Sequence, residues 1–118
     1  MRTKNKILLV ENDMIRAKNL RLALENAGYE ITDVVPYIIN AINTDKQTPD
    51  VVVLDAYLTD HIADFISNYL KFPFIIISEQ YEKEIYKYSE KIRILSVIQK
   101  PYNIYDIKIP VDIAFNKL

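Results

Sequence analysis

Residues 50–55 read Asp50-Val51-Val52-Val53-Leu54-Asp55, an unbroken apolar run between two acidic residues. The run lacks the alternation of polar and apolar residues that a half-exposed strand shows, so it is typical of a strand buried on both faces. Residues 6–10 and residues 73–78 have the same character. Strands of this kind predict a parallel sheet that is covered by helices on either side.

Helical patterns separate these strands along the chain. Helices are predicted from residue 15 to 27, at 37–42, from 62 to 70 and at 82–91, with further strands at 30–35 and 94–98. Gly28 stands where a helix C-cap is expected. Five strands that alternate with helices require right-handed βαβ units, which makes the predicted fold class α/β with one parallel sheet.

A last helix is predicted after strand five. Asn103 is its expected N-cap and Asp106 follows three positions later. Pro110 should kink this helix or delay its start, because proline cannot donate the backbone hydrogen bond and its ring crowds the preceding turn.

Composition restricts the class of protein. The 118 residues suit one domain, 1–118, and the absence of cysteine excludes a disulfide framework and a thiolate metal site. A net charge of -1 argues against a nucleic-acid-binding surface. The apolar runs are too short to span a membrane, and residues 1–4 lead straight into a strand without a signal peptide. We therefore expect a cytoplasmic protein that binds neither nucleic acid nor membranes.

Polar side chains follow four of the five predicted strands. They are Glu11, Asn12 and Asp13 after strand one, Asp55 at the end of strand three, Ser78 at the end of strand four, and Lys100 after strand five. The carboxyl ends of parallel strands meet at one edge of the sheet, where ligands bind in open α/β folds. Carboxylates suit Mg²⁺, and a lysine with a hydroxyl suits a phosphoryl group.

These stretches, residues 7–13, 53–55, 77–78 and 100–102, resemble the signature positions of response regulator receiver domains, in the same order and over essentially the whole chain. The resemblance implies a flavodoxin-like (βα)5 fold with strand order 2-1-3-4-5. It also implies Mg²⁺-dependent transfer of a phosphoryl group to Asp55 from a histidine kinase or a phosphotransfer protein. Such a domain is no enzyme beyond its own phosphorylation and dephosphorylation, and it acts on a downstream protein.

The resemblance assigns a role to each polar residue. Asp55 would be the phosphoacceptor, and Ser78 and Lys100 would contact the phosphoryl oxygens. Glu11, Asn12, Asp55 and the backbone carbonyl of Tyr57 would bind Mg²⁺. The resemblance further implies a cis peptide bond between Lys100 and Pro101, and a partner surface, open to a homodimer, on the fourth helix, fifth strand and last helix.

Several positions depart from the family pattern. Asn12 replaces an aspartate that contacts the metal, while the adjacent Asp13 is expected to point elsewhere; Glu79 replaces a small residue, and Val97 replaces the switch aromatic. The Pro73-Phe74 pair resembles a subgroup of single-domain receivers.

Two alternatives to phosphorylation-controlled signalling remain open. The departures favour a degenerate receiver that serves as a phosphorylation-independent interaction module. A small flavodoxin-like enzyme or nucleotide binder is disfavoured, because Gly28 is the only glycine, which excludes a glycine-rich phosphate loop, and no general base is evident. His61, the only histidine, receives no role.

Overall fold

The computed structural model describes residues 5–36, 48–55, 71–78 and 93–116. The strands are β1 Lys6–Val10, β2 Glu30–Val35, β3 Val51–Asp55, β4 Phe74–Ser78 and β5 Ile94–Gln99, and the helices are α1 Met14–Asn26 and α2 Ile104–Ala114. The helices predicted at 37–42, from 62 to 70 and at 82–91 lie outside the described residues. None of the described helices is long and apolar enough to cross a membrane.

The five strands form one parallel sheet in the order β2-β1-β3-β4-β5. This confirms the predicted α/β class and the flavodoxin-like strand order. Every residue of β3 and β4 is buried, as their unbroken apolar sequences require, whereas β5 at the edge is only partly covered.

Both ends of helix α1 have local causes in the sequence. The Asp13 carboxylate accepts hydrogen bonds from the backbone N–H groups of Ile15 and Arg16, each at 3.0 Å, and so caps the first turn. After the last turn, Gly28 adopts a φ of 98°, a left-handed conformation that favours glycine. The predicted glycine at the helix C-terminus is therefore confirmed, and the Asp13 side chain serves as the N-cap of α1.

Helix α2 follows a capping box. Asn103 accepts from the backbone of Asp106, and the Asp106 carboxylate accepts from the Asn103 N–H at 3.0 Å. The helix starts directly after this cap and contains Pro110, so the expectation that the proline could delay the start is wrong. The strong N-terminal cap fixes the first turn, and the missing N–H of Pro110 falls further along the helix.

The two helices pack on one face of the sheet and share a core. Its buried members on the helices are Leu20 and Leu24 of α1 and Ile107 and Val111 of α2, and alternate residues of β1, β3 and β4 meet them from the sheet. A polar link crosses this layer, because the Tyr29 hydroxyl donates to Asp112 at 2.5 Å. The layer holds α1 and the loop before α2 beside the carboxyl ends of the strands.

Candidate functional site

The register of the sheet brings the predicted site residues to one edge. Val10 pairs with Leu54, so Glu11, which directly follows β1, lies beside Asp55, the last residue of β3. Ser78 pairs with Gln99 at the end of β4. We call this edge, with Glu11, Asp55, Ser78 and Lys100, the carboxyl edge.

Lys100 is held against Asp55. Its Nζ lies 2.9 Å from Asp55 Oδ1 and 2.8 Å from Oδ2, and the two side chains are only 9% and 2% exposed. The backbone N–H of Lys100 donates to the Ser78 carbonyl at 2.8 Å, which ties the lysine to the end of β4. The Lys100–Pro101 peptide bond is cis, as the resemblance implied.

Glu11 places a second carboxylate next to Asp55. Its side chain is fully buried, and Oε1 accepts the backbone N–H of Asp13 at 2.9 Å. Burial, together with the neighbouring Asp55 carboxyl, raises the pKa of Glu11 to about 7. A protonated Glu11 can donate to Asp55, whereas two ionised carboxylates would repel each other.

The pair leaves buried oxygen atoms available for a cation. Within the described ranges, neither Glu11 Oε2 nor Asp55 Oδ2 has a hydrogen-bond donor, although Lys100 lies near Oδ2 as an ion pair. Mg²⁺ commonly takes one or two carboxylates and keeps several waters, so these two residues fit it. No group of three or more His, Cys, Asp or Glu side chains suited to a metal occurs among the described residues.

The other predicted ligands are less fully placed. Asn12 follows Glu11 at the carboxyl edge and is half-buried, and its role toward a metal stays a prediction. Tyr57, Glu79 and His61 lie outside the described residues. Ser78 is buried at the end of β4, which agrees with its predicted position in the site.

Several solved structures of receiver domains share the fold of this chain. The non-phosphorylated HemR receiver domain from Leptospira biflexa matches with a TM-score of 0.79 and 27% identity, over 95% of this chain and 94% of that one. The chain has the fold of a response regulator receiver domain. A scan against protein-family models finds no match, and a search of curated proteins finds no similar sequence.

Two further receiver structures share the fold at lower identity. The receiver domain of an HD domain-containing protein from Pseudomonas fluorescens Pf-5 has a TM-score of 0.80 at 18% identity, covering 96% of this chain and 95% of its own. The receiver domain of a sensor histidine kinase from Pseudomonas aeruginosa PAO1 has a TM-score of 0.74 at 16% identity, covering 96% and 98%. The latter structure has a magnesium ion coordinated in its active site cleft.

Arg16 is a charged residue beside the carboxyl edge that the sequence pattern did not predict. Its Nε lies 3.6 Å from Glu11 Oε1, and its Nη2 lies 3.8 Å from Asp13 Oδ2. The available signal was a basic residue in the first helical turn, where the helix dipole favours acids. The position of Arg16 in the sequence does not predict that its side chain reaches back to Glu11.

Tyr102 also faces the site. Burial and the charges of Glu11 and Asp55 raise the pKa of its phenol to about 12, so it stays protonated at neutral pH. With Arg16 and Lys100 it lines a cavity of about 610 Å³ between α1 and the start of α2. Of the carboxyl-edge residues, Lys100 lines this cavity.

Proposed function

We propose that the protein is a phospho-accepting receiver domain of a two-component system. A histidine kinase or a phosphotransfer protein phosphorylates Asp55 with Mg²⁺, and the phosphorylated domain acts by binding another protein. One observation carries this proposal: Glu11, Asp55 and Lys100, which are far apart in sequence, meet at one edge of the sheet with two buried carboxylates and one lysine in contact. The fold of the solved receivers supports it.

The geometry around Asp55 suits phosphoryl transfer. A carboxylate oxygen of Asp55 attacks phosphorus, a P–O bond forms, and the P–N bond to the donor histidine breaks with the electron pair leaving on the imidazole nitrogen. Lys100, already within 3 Å of both Asp55 oxygens, is placed to neutralise charge on the transferred group.

Glu11, Asn12 and Asp55 are the side chains that would hold Mg²⁺. The ion would supply charge neutralisation between the carboxylates and the phosphoryl oxygens. Glu11 Oε2 is buried without a hydrogen-bond donor among the described residues, and Asp55 Oδ2 is buried beside Lys100. Asn12 would offer an amide oxygen without charge, and the Tyr57 carbonyl is the fourth proposed ligand.

The exposed side of α2 supports a role in protein contacts. Tyr105, Ile109 and Ile113 are each half or more exposed and follow one another at intervals of four residues. Apolar side chains at this spacing form one stripe along a helix, which suits a protein partner or a second copy of this chain. The molar mass in solution, compared between the wild type and Ile109→Glu, tests the homodimer.

The second candidate is a degenerate receiver that binds its partner without phosphorylation. Asn12 favours it, because the site has one carboxylate fewer than the receiver pattern and should hold Mg²⁺ less tightly. The same fold and the same α2 surface would serve this function.

Phosphorylation by a small donor distinguishes the two candidates. We expect incubation with acetyl phosphate and Mg²⁺ to add one phosphoryl group, detected by intact mass. Asp55→Asn should abolish the adduct, while the matched control Asp50→Asn, at the other end of β3, should retain it. No adduct on the wild type at high Mg²⁺ would refute the phospho-accepting function and favour the degenerate receiver.

A further inference from the structure

Arg16 stands at a helix position that does not suit its charge. It is the third residue of α1, directly within the first turn, and that turn contains no acidic residue. The N-terminus of a helix carries a partial positive charge that disfavours cations, and a glutamate at this position would complete a capping box with the N-cap. Helix stability therefore does not explain the arginine, and its contacts must be sought outside α1.

The contacts of Arg16 point toward the carboxyl edge. Nε lies 3.6 Å from Glu11 Oε1, is buried, and has no hydrogen-bond partner among the described residues. The side chain as a whole is 41% exposed, so the guanidinium lies between the buried carboxylate and the solvent-open cavity. A separation of 3.6 Å is an ion pair without a hydrogen bond, which attracts Glu11 without fixing its oxygens.

The distribution of charge gives Arg16 a specific counterpart. Lys100 binds both oxygens of Asp55, which leaves Arg16 as the cation paired with Glu11 in the described part of the chain. Asp13 contacts Arg16 more weakly, because its Oδ2 lies 3.8 Å from Arg16 Nη2 and both side chains are about 40% exposed. Glu11 is therefore already paired with Arg16 when a divalent cation binds to it, and the arginine and the cation repel each other.

We propose that Arg16 is an internal counter-cation for Glu11 that competes with the divalent cation and thereby sets the Mg²⁺ concentration at which the site fills. This inference rests on the proposed function, since it assumes that Glu11 and Asp55 hold the ion. Arg16 acts through Glu11 and is a positioning residue. When no metal is bound, the ion pair with Arg16 partly offsets the charge of the buried Glu11 carboxylate.

The test compares Mg²⁺ binding in four full-length proteins. Thermal unfolding is followed against MgCl2 concentration at constant ionic strength, and the midpoint of the stabilisation gives the apparent dissociation constant. Arg16→Met keeps the aliphatic stem and removes the charge, and we expect it to bind Mg²⁺ about tenfold more tightly, as removal of a full charge a few ångströms away predicts. Arg16→Lys should restore the wild-type affinity to within about threefold, because the charge returns.

Arg21→Met is the matched control. Arg21 is on the same helix and pairs with Glu25 at 2.5 Å on the surface, so its removal changes the net charge equally without touching the site. Its Mg²⁺ affinity should equal that of the wild type. If Arg16→Met does not fold, Arg16→Gln replaces it, with the same expected gain.

The outcomes separate this inference from the proposed function. Unchanged or weaker Mg²⁺ binding in Arg16→Met, or an Arg16→Lys protein that behaves like Arg16→Met, would overturn the counter-cation role. Phosphorylation of Asp55 in the same proteins would then leave the proposed function standing. If Mg²⁺ stabilises neither the wild type nor Arg16→Met and no phosphoryl adduct forms, both fail together.

Discussion

An aspartate lies at each end of β3, with Asp50 directly before the strand and Asp55 as its last residue, and the two have different surroundings. At the amino end, the Asp50 carboxylate accepts the backbone N–H groups of Asn5 and Lys6, each at 3.0 Å, and so fixes the start of β1. At the carboxyl end, the hydrogen bond to Asp55 comes from a lysine side chain, and a second buried carboxylate lies beside it. An aspartate bound by the backbone serves the fold, whereas one bound by a side chain next to a like charge is available for chemistry.

The first prediction removes the cation at the carboxyl end. Lys100→Met leaves the Asp55 and Glu11 carboxylates buried together, so we expect a loss of about 3 kcal/mol in the free energy of unfolding at pH 8 without Mg²⁺. Urea unfolding measures it. The matched control is Arg21→Met, which breaks the exposed pair with Glu25 and should cost about 0.5 kcal/mol. Equal losses in both variants would show that the carboxyl end is not electrostatically distinct.

The second prediction removes the like charge beside Asp55. Glu11→Gln should stabilise the Mg²⁺-free protein by about 1 to 2 kcal/mol above pH 7, because the folded state no longer holds two buried carboxylates together.

The pH dependence has a definite sign. The pKa of Glu11 is raised from 4.5 to about 7 in the folded protein, so Glu11 ionises at lower pH in the unfolded chain. The free energy of unfolding of the wild type should therefore decrease as the pH rises from 4.5 to about 7. The stability advantage of Glu11→Gln over the wild type should therefore shrink toward zero near pH 4. The Glu11→Gln protein should also lose stabilisation by Mg²⁺. Urea unfolding from pH 4 to 8 checks this, and an advantage that does not change with pH would contradict it.

The third and smallest prediction concerns the amino end. Asp50→Asn keeps one acceptor oxygen but loses the charge that strengthens two backbone hydrogen bonds, so we expect a cost of about 1 kcal/mol. Stabilisation by Mg²⁺ should match that of the wild type. If Asp50→Asn instead weakened Mg²⁺ binding as strongly as Glu11→Gln, the two ends of β3 would not be independent.

Much of the fold could be predicted because its signals are local. The apolar runs of β3 and β4 indicate strands buried on both faces, and both are fully buried in the structure. Gly28 and Asn103 mark helix ends through their own backbone and side-chain chemistry. The effect of Pro110 was harder to predict, since the capping box and the proline act on the same helix in opposite directions.

The site could be predicted only as far as strand ends determine it. Glu11, Asp55 and Lys100 meet because parallel strands bring their carboxyl ends to one edge. The contact from Arg16 to Glu11 depends on the path of a long side chain, and the bond from Tyr29 to Asp112 joins residues 83 positions apart. Neither contact follows from a sequence period.

The Asp13 amide offers a spectroscopic handle on the site. Its N–H donates to Glu11 Oε1, while its carboxylate caps α1, so one residue joins the acidic pair to the helix. An ion or phosphoryl group that binds to Glu11 should alter this hydrogen bond and so change the chemical shift of the Asp13 amide. Nuclear magnetic resonance of this single amide could then follow occupancy of the carboxyl edge without a chemical probe attached beside Asp55.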